Sequence, residues 1–386
     1  GSRRTIFMHS ARMFGICLAT LLLCIATPLM AAEVTELPAF LEKVQLHNFA
    51  GVEPTEDGEG VRLYRLPSNV RAKLTEKNKH SDKSGGDQMR YARHSEIRFV
   101  LKEGEKPENV RLHLQSTKPA NIVFYWGDVF CGSARLRPGG EARPVKPRGH
   151  GLFYNLIDKI PAGRFPNRLC RIVLSGGELT FSGIEGEIRP PQPEDLPPVM
   201  MSYGTSITEG HAASRTDLAW NSLTARRVGH DLVNLGSSGT AFCQAAVADY
   251  MAARSWDLCV LEISVNMLGN QFSVEQFRRR ATYMVNALAK SHPEAPIFCI
   301  SVFPWGIGDH WTNSPQHKRT RQYRDTLREI CEESSHENVH FVSGPDLLSF
   351  SGLSRDMLHP SDVGMIEISS KLSERIKEVL KSTSRE

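Results

Sequence analysis

Pro198-Val199-Met200-Met201-Ser202-Tyr203-Gly204-Thr205-Ser206-Ile207-Thr208-Glu209-Gly210 is the stretch on which the architecture of this chain turns. Its first half is an apolar run of strand length, and its second half passes through Gly204 to a serine at the entrance of a helix. A serine hydroxyl in that position is a poor nucleophile at neutral pH unless a base takes its proton and a carboxylate orients the base. Far downstream, Asp356-Met357-Leu358-His359-Pro360 offers both groups on one loop. Ser206, His359 and Asp356 are therefore the candidate catalytic set.

Outward from that stretch, apolar runs alternate with helical periodicity. Val199 to Tyr203, Leu232 to Leu235, Leu258 to Ile263, Ile297 to Val302 and Val339 to Val342 are apolar at nearly every position, which suits parallel strands covered on both faces. Between them, Ser273 and Gln276 form a capping box ahead of Phe277, Ala281, Met284, Val285 and Leu288, and Tyr323, Leu327, Ile330 and Cys331 repeat the spacing. A last helix, from about Ser361 to Leu380, puts Met365, Ile368, Leu372, Ile376 and Val379 on one stripe. The pattern predicts a five-stranded α/β sandwich whose loops at the carboxyl ends of the strands converge on one crevice. Ser206 follows strand one, Gly236 strand two, Asn266 strand three, and His359 lies beyond strand five.

Residues 33–189 read differently. Short alternating segments such as Glu96 to Leu101, Val110 to Leu114 and Cys170 to Leu174, with Gly, Pro and charged turns between them, predict a β-sandwich accessory domain. Lys73 to Asp87 reads as an exposed loop, and the proline-rich residues 190–198 as a linker to a second domain over 199–386. At the start, Arg3, Arg4 and Arg12 precede an apolar run from about Met13 to Met30 that ends in Ala31-Ala32. Residues 1–32 thus resemble a bacterial secretory signal peptide, which implies a secreted or periplasmic protein with no membrane span in the mature chain. In 386 residues the formal charge is only +4 and the basic residues are scattered, with Arg278-Arg279-Arg280 on a solvated helix face, so nucleic acid is not an expected partner. Cys259, Cys299 and Cys331 lie in apolar runs, and without a CxxC or HExxH motif no metal or cofactor is expected.

The ordered blocks resemble the SGNH (GDSL-type) hydrolases, named for a Ser, Gly, Asn and His in four sequence blocks. The resemblance covers roughly Val199 to Leu380. It implies a flavodoxin-like three-layer sandwich, with Ser206 as nucleophile, His359 as base and then acid, and Asp356 orienting the imidazole. It also implies an oxyanion hole built from the N–H of Ser206, the N–H of Gly236 and the amide of Asn266. Thr205 replaces the usual Asp of the first block, and Ser264-Val265-Asn266-Met267 replaces the usual GxND, departures that mark a divergent subfamily. GTSITEGHAASR preceded by a β-rich region resembles two-domain bacterial members with an N-terminal, jelly-roll-like β-sandwich, which act as acyl esterases or occasionally as acyltransferases.

Taken singly, each site residue has a structural explanation: Ser206 as an N-cap, Gly236 as a strand end, Asn266 as a turn residue, Asp356 and His359 as a local network. Their joint occurrence, in order and each after a different strand, favours chemistry. The loop Phe303 to Trp311 adds Trp305, His310 and Trp311 as candidate substrate contacts, its rings suited either to stacking on a sugar or to covering the core. His211 and His230 read as surface or packing residues, and Tyr125, Trp126 and Asp128 as core rather than a glycan site. The function expected is an esterase removing an acyl group, acetyl foremost, from a small-molecule or oligosaccharide ester. The alternatives are an acyltransferase using the same acyl-enzyme, or a glycan-binding protein with a vestigial hydrolase domain.

Overall fold

The computed structural model describes residues 36–139 and 143–383; the leader expected over residues 1–32 lies outside them. From Leu37 onward the chain forms one compact unit. Its first half contributes β1 (Gln45–His47), β2 (Gly51–Pro54), β3 (Val61–Tyr64), β4 (Ala92–Leu101), β5 (Arg111–Ser116), β6 (Ala120–Trp126), β7 (Val129–Leu136), β8 (Arg143–Val145), β9 (Leu169–Gly176), β10 (Leu179–Glu185) and β11 (Ile188–Arg189). They make two antiparallel sheets, ordered β1-β4-β9-β6-β7, with β11 also on β4, and β2-β3-β10-β5-β8. Leu63, Ile97, Phe99, Leu112, Phe124, Trp126, Ile172 and Phe181 are buried in one cluster between the sheets.

Strand β4 is buried on both faces. Side chains alternate along a strand, so Ile97, Phe99 and Leu101 enter the sandwich core while Glu96, Arg98 and Val100 point the other way. That second face meets the parallel sheet of the second half.

This sheet consists of β12 (Val199–Gly204), β13 (Asp231–Gly236), β14 (Leu258–Glu262), β15 (Ile297–Ile300) and β16 (Val339–Val342). All neighbours are parallel, in the order β13-β12-β14-β15-β16. The helices Trp220–Arg227 and Asp362–Thr383 pack together, and the helices Ala245–Ala252, Val274–Ser291 and Pro315–Glu332 form a second layer. Ser273 and Gln276 make the capping box that starts the helix Val274–Ser291, and its buried stripe is Phe277, Ala281, Met284, Val285, Leu288 and Ala289. The strand order reverses beside β12, so a crevice opens at the carboxyl end of that strand. In register there, Gly204 lies between Gly236 and Glu262.

The two halves meet along β13, an edge strand whose outward carbonyls would otherwise lack partners. His47 Nε2 lies 2.5 Å from the Leu232 carbonyl, Asn48 Nδ2 donates to that of Asn234 at 2.9 Å, and Arg65 Nη1 to that of Gly236 at 2.6 Å. Beside them Arg98 holds Asp231 through two bonds of 2.6 and 2.7 Å and turns its Nε to Glu96, which also pairs with Arg171. All four of these charged side chains are buried.

The segment read as an exposed loop behaves otherwise. Leu74 is buried in the core of the second half, Gly85 and Gly86 are buried, and Asn78 is 9% exposed. Leu74, an apolar side chain inside a polar run, helps to dock it. Arg280, assigned to a solvated face, turns to pair with Glu76 of the same segment at 2.8 and 2.9 Å.

Removing one member of a buried ion pair strands the other charge, at a cost of about 3–5 kcal/mol. Asp231→Ala is therefore expected to lower unfolding free energy by about that amount in urea titration; a loss below about 1 kcal/mol would show that Arg98 finds other partners.

Candidate active site

Ser206 opens the short helix Ser206–Glu209 at the end of β12. Thr205 caps it, its Oγ1 accepting the Ile207 N–H at 3.2 Å, and Gly210 ends it at φ +89°, a left-handed conformation that glycine adopts without strain. Ser206 Oγ lies 2.7 Å from His359 Nε2, and His359 Nδ1 lies 2.7 Å from Asp356 Oδ2. Asp356 Oδ1 also accepts the backbone N–H groups of His359 and Leu358 at 2.9 and 3.0 Å. Burial pushes the Asp356 carboxyl up, but these bonds from His359 and Leu358 outweigh it and hold the group well below the usual carboxylate range. An ionised Asp356 fixes the proton on Nδ1 and turns the Nε2 lone pair toward Ser206.

The loop that carries Asp356 and His359 is bent and braced. Met357 has φ +57°, and its carbonyl accepts the Gly306 N–H at 2.7 Å. Gly306 belongs to the aromatic loop after β15, whose candidate substrate residues separate here. Trp305 is buried and donates its indole N–H to Thr320 Oγ1 at 3.1 Å, so it packs rather than presents a ring. His310 lies edge-on to Phe350, and Trp311 is 63% exposed. His211, read as a packing or surface residue, brings its ring centroid to 4.2 Å from that of His359. Burial and the neighbouring His359 both lower its pKa. His211, Asp356 and His359 offer ligand atoms within 4.8 Å of one another, a set that could hold a metal ion only by competing with the bonds among Asp356, His359 and Ser206.

The oxyanion donors require one correction. Gly236 is the last residue of β13, and its N–H is already donated to Asn234 Oδ1 at 2.8 Å. Three residues on, Gly239 turns at φ +69°, and among the described residues nothing accepts its N–H. The intervening turn is tied to the nucleophile helix, because Ser238 donates its N–H to Glu209 Oε1 at 2.8 Å. Asn266, in the helix Val265–Gly269, accepts the Ala241 N–H on Oδ1 at 3.2 Å, which leaves its Nδ2 to donate elsewhere. Ser206, as first residue of its helix, has no helical partner for its N–H.

Beneath Ser206 lies a carboxyl that the sequence reading passed over. Glu262 Oε2 accepts the Thr205 N–H at 2.9 Å, Thr205 Oγ1 at 2.6 Å and Thr208 Oγ1 at 3.0 Å. Thr205 stands where the family has Asp, and β14 supplies the acid instead. The visible signal was a single charge closing an otherwise apolar strand. Burial pushes the Glu262 carboxyl up from 4.5 to about 7, against the pull of the threonine bonds. Below 4.5 folded and unfolded chains both hold the proton; from there to about 7 only the folded chain does, so stability falls as pH rises through that window and levels off above it. Glu262→Gln is expected to flatten the decline of Tm between those two pH values; an unchanged slope would mean that Glu262 does not titrate there.

Residues 198–377 match the sequence profile of the GDSL-like lipase/acylhydrolase family. No curated protein matches the chain in sequence. Among solved structures, a salicylyl-acyltransferase, SsfX3, from a tetracycline biosynthetic pathway shares 16% identity over 88% of this chain and 96% of its own, with a TM-score of 0.66. A family two carbohydrate esterase from Clostridium thermocellum, in complex with cellohexaose, shares 17% identity over 75% of this chain and 94% of its own, at a TM-score of 0.55. An acetyl xylan esterase, Est2A, from the rumen bacterium Butyrivibrio proteoclasticus shares 11% over 88% and 96%, at 0.53. At these identities the structural likeness carries the fold, antiparallel sheets included, and the sequence profile carries the family. Residues 198–377 are thus a GDSL-like lipase/acylhydrolase domain, the same part of the chain that carries the SGNH blocks.

Proposed function

We propose that the chain is an exported esterase that removes acyl groups, acetyl foremost, from a carbohydrate through a Ser206 acyl-enzyme. The observation that carries this reading is the run of two 2.7 Å contacts from Ser206 Oγ to His359 Nε2 and from His359 Nδ1 to Asp356 Oδ2. His359 takes the Ser206 proton as Oγ attacks the ester carbonyl. The oxyanion then receives the N–H groups of Ser206 and Gly239 and the amide of Asn266. His359 returns its proton to the leaving alcohol and next activates a water to release the acid.

Two observations favour a sugar ester and a hydrolytic outcome. Trp311 exposes an aromatic face beside the loop that braces His359, a surface suited to a sugar ring. The His359 and Asp356 side chains are 13% and 43% exposed, which leaves the base open to an approaching water. The acyltransferase reading is favoured by the likeness to SsfX3 and would require an acceptor that displaces this water. The antiparallel sheets form an accessory domain that packs on the catalytic layers, and the mature protein works outside the cytoplasm.

Ser206→Ala is expected to abolish turnover of 4-nitrophenyl acetate and of acetylated xylo-oligosaccharides while leaving the far-ultraviolet circular dichroism spectrum intact. Retained turnover would remove Ser206 as nucleophile, and glycan binding without turnover by the wild type would favour a binding protein. A protonated imidazole has no lone pair for the Ser206 proton, so kcat/KM is expected to fall about tenfold per pH unit on its acidic limb. A flat limb with chemistry rate-limiting would exclude His359 as base.

A further inference from the structure

The oxyanion turn is not held by the catalytic layers alone. Asn78, in the segment between β3 and β4, donates Nδ2 to the Gly239 carbonyl at 2.7 Å. Its Oδ1 accepts the His80 N–H at 2.6 Å, an Asx turn that fixes which edge of the amide faces Gly239. One residue on, the Lys79 N–H binds Asn270 Oδ1 at 2.8 Å. Asn270 Nδ2 in turn reaches the Asn266 carbonyl at 2.9 Å and the Gly239 carbonyl at 3.4 Å. The segment is pinned from outside by Glu76 on Arg280 and from below by buried Leu74.

Building on the Ser206 reading, we propose that Asn78 is a positioning residue for acyl transfer, holding the Gly239 turn in donor geometry through the Gly239 carbonyl that it shares with Asn270. The physical need is specific to glycine. Gly239 sits at φ +69°, and a Cβ there would come within 2.3 Å of Asn78 Nδ2, so the close approach demands a residue with no side chain. Such a residue has the least intrinsic restraint on its dihedrals. Anchoring its carbonyl from a separate element supplies the restraint that an oxyanion donor requires, since donors act through preorganisation. Asn78 touches neither nucleophile nor base, and acts through Gly239.

Two variants distinguish this role from simple loop folding. Asn78→Asp keeps the Asx-turn acceptor for the His80 N–H but sets a carboxylate oxygen against the Gly239 carbonyl, whereas Asn78→Ala removes both contacts. Both are expected to lower kcat on 4-nitrophenyl acetate by about 10- to 100-fold, the scale of an ångström-level misplacement, with KM within about twofold of wild type. Asn78→Asp retaining wild-type kcat, or losing activity only in step with lost secondary structure, would overturn the proposal. Labelling of the wild type at Ser206 by a fluorophosphonate is the separate check on the nucleophile. Its failure overturns both readings, whereas a labelled wild type beside a fully active Asn78→Asp overturns only this one.

Discussion

The carbonyl row on the outer edge of β13 is the constraint around which the molecule is organised. A parallel sheet ordered 2-1-3-4-5 places its second strand at an edge, and that strand here runs directly into the turn at Gly239. Unpaired carbonyls at Leu232, Asn234 and Gly236 would invite solvent or another strand. Side chains rather than backbone satisfy them: His47, Asn48 and Arg65, each from the antiparallel half. Arg65 is fully buried, and burial lowers its pKa to about 9, yet its guanidinium is surrounded by acceptors at Tyr91, Gln88, Asn234 and Gly236. A cation so placed is a structural rivet, expensive to bury and more expensive to strand.

From that seam the antiparallel half extends to the chemistry. Arg93 pairs with Glu209 at 2.7 Å, and Glu209 accepts the Ser238 N–H, so the last residue of the nucleophile helix and the turn after β13 share one ion pair. Asn78 repeats the arrangement on the far side of the turn. The first half of the chain is thus built into the site's support. A glycan platform formed by Tyr125, Trp126 and Asp128 is not how those residues are used: Trp126 is fully buried, Tyr125 donates to Asp217 at 2.6 Å, and Asp128 holds Arg164.

The departures from the family blocks have a physical account in the same terms. Thr205 in place of an acid removes a carboxyl from the strand-to-helix turn, and Glu262 supplies one from the neighbouring strand, where three donors converge on one oxygen. The bonds from Thr205 and Thr208 to that carboxyl tie the turn to β14.

Sequence alone determined the alternation of apolar runs and helical stripes, and with it the five parallel strands, their covering helices and the serine, histidine and aspartate that meet beyond them. These are local or periodic signals: strand burial on two faces, a 3.6-residue stripe, a capping box, and a loop in which acid and base lie three residues apart. Tertiary structure decided which glycine keeps an unspent N–H, because that depends on a partner such as Asn234 Oδ1, and both Gly236 and Gly239 lie at the end of the same strand. It decided that Trp305 packs while Trp311 stands exposed, since periodicity says nothing about loop rings. It alone could show that Asn78, Arg65 and Glu262 converge on the site, for hydrogen bonds spanning 57 to 171 positions leave no trace in local pattern.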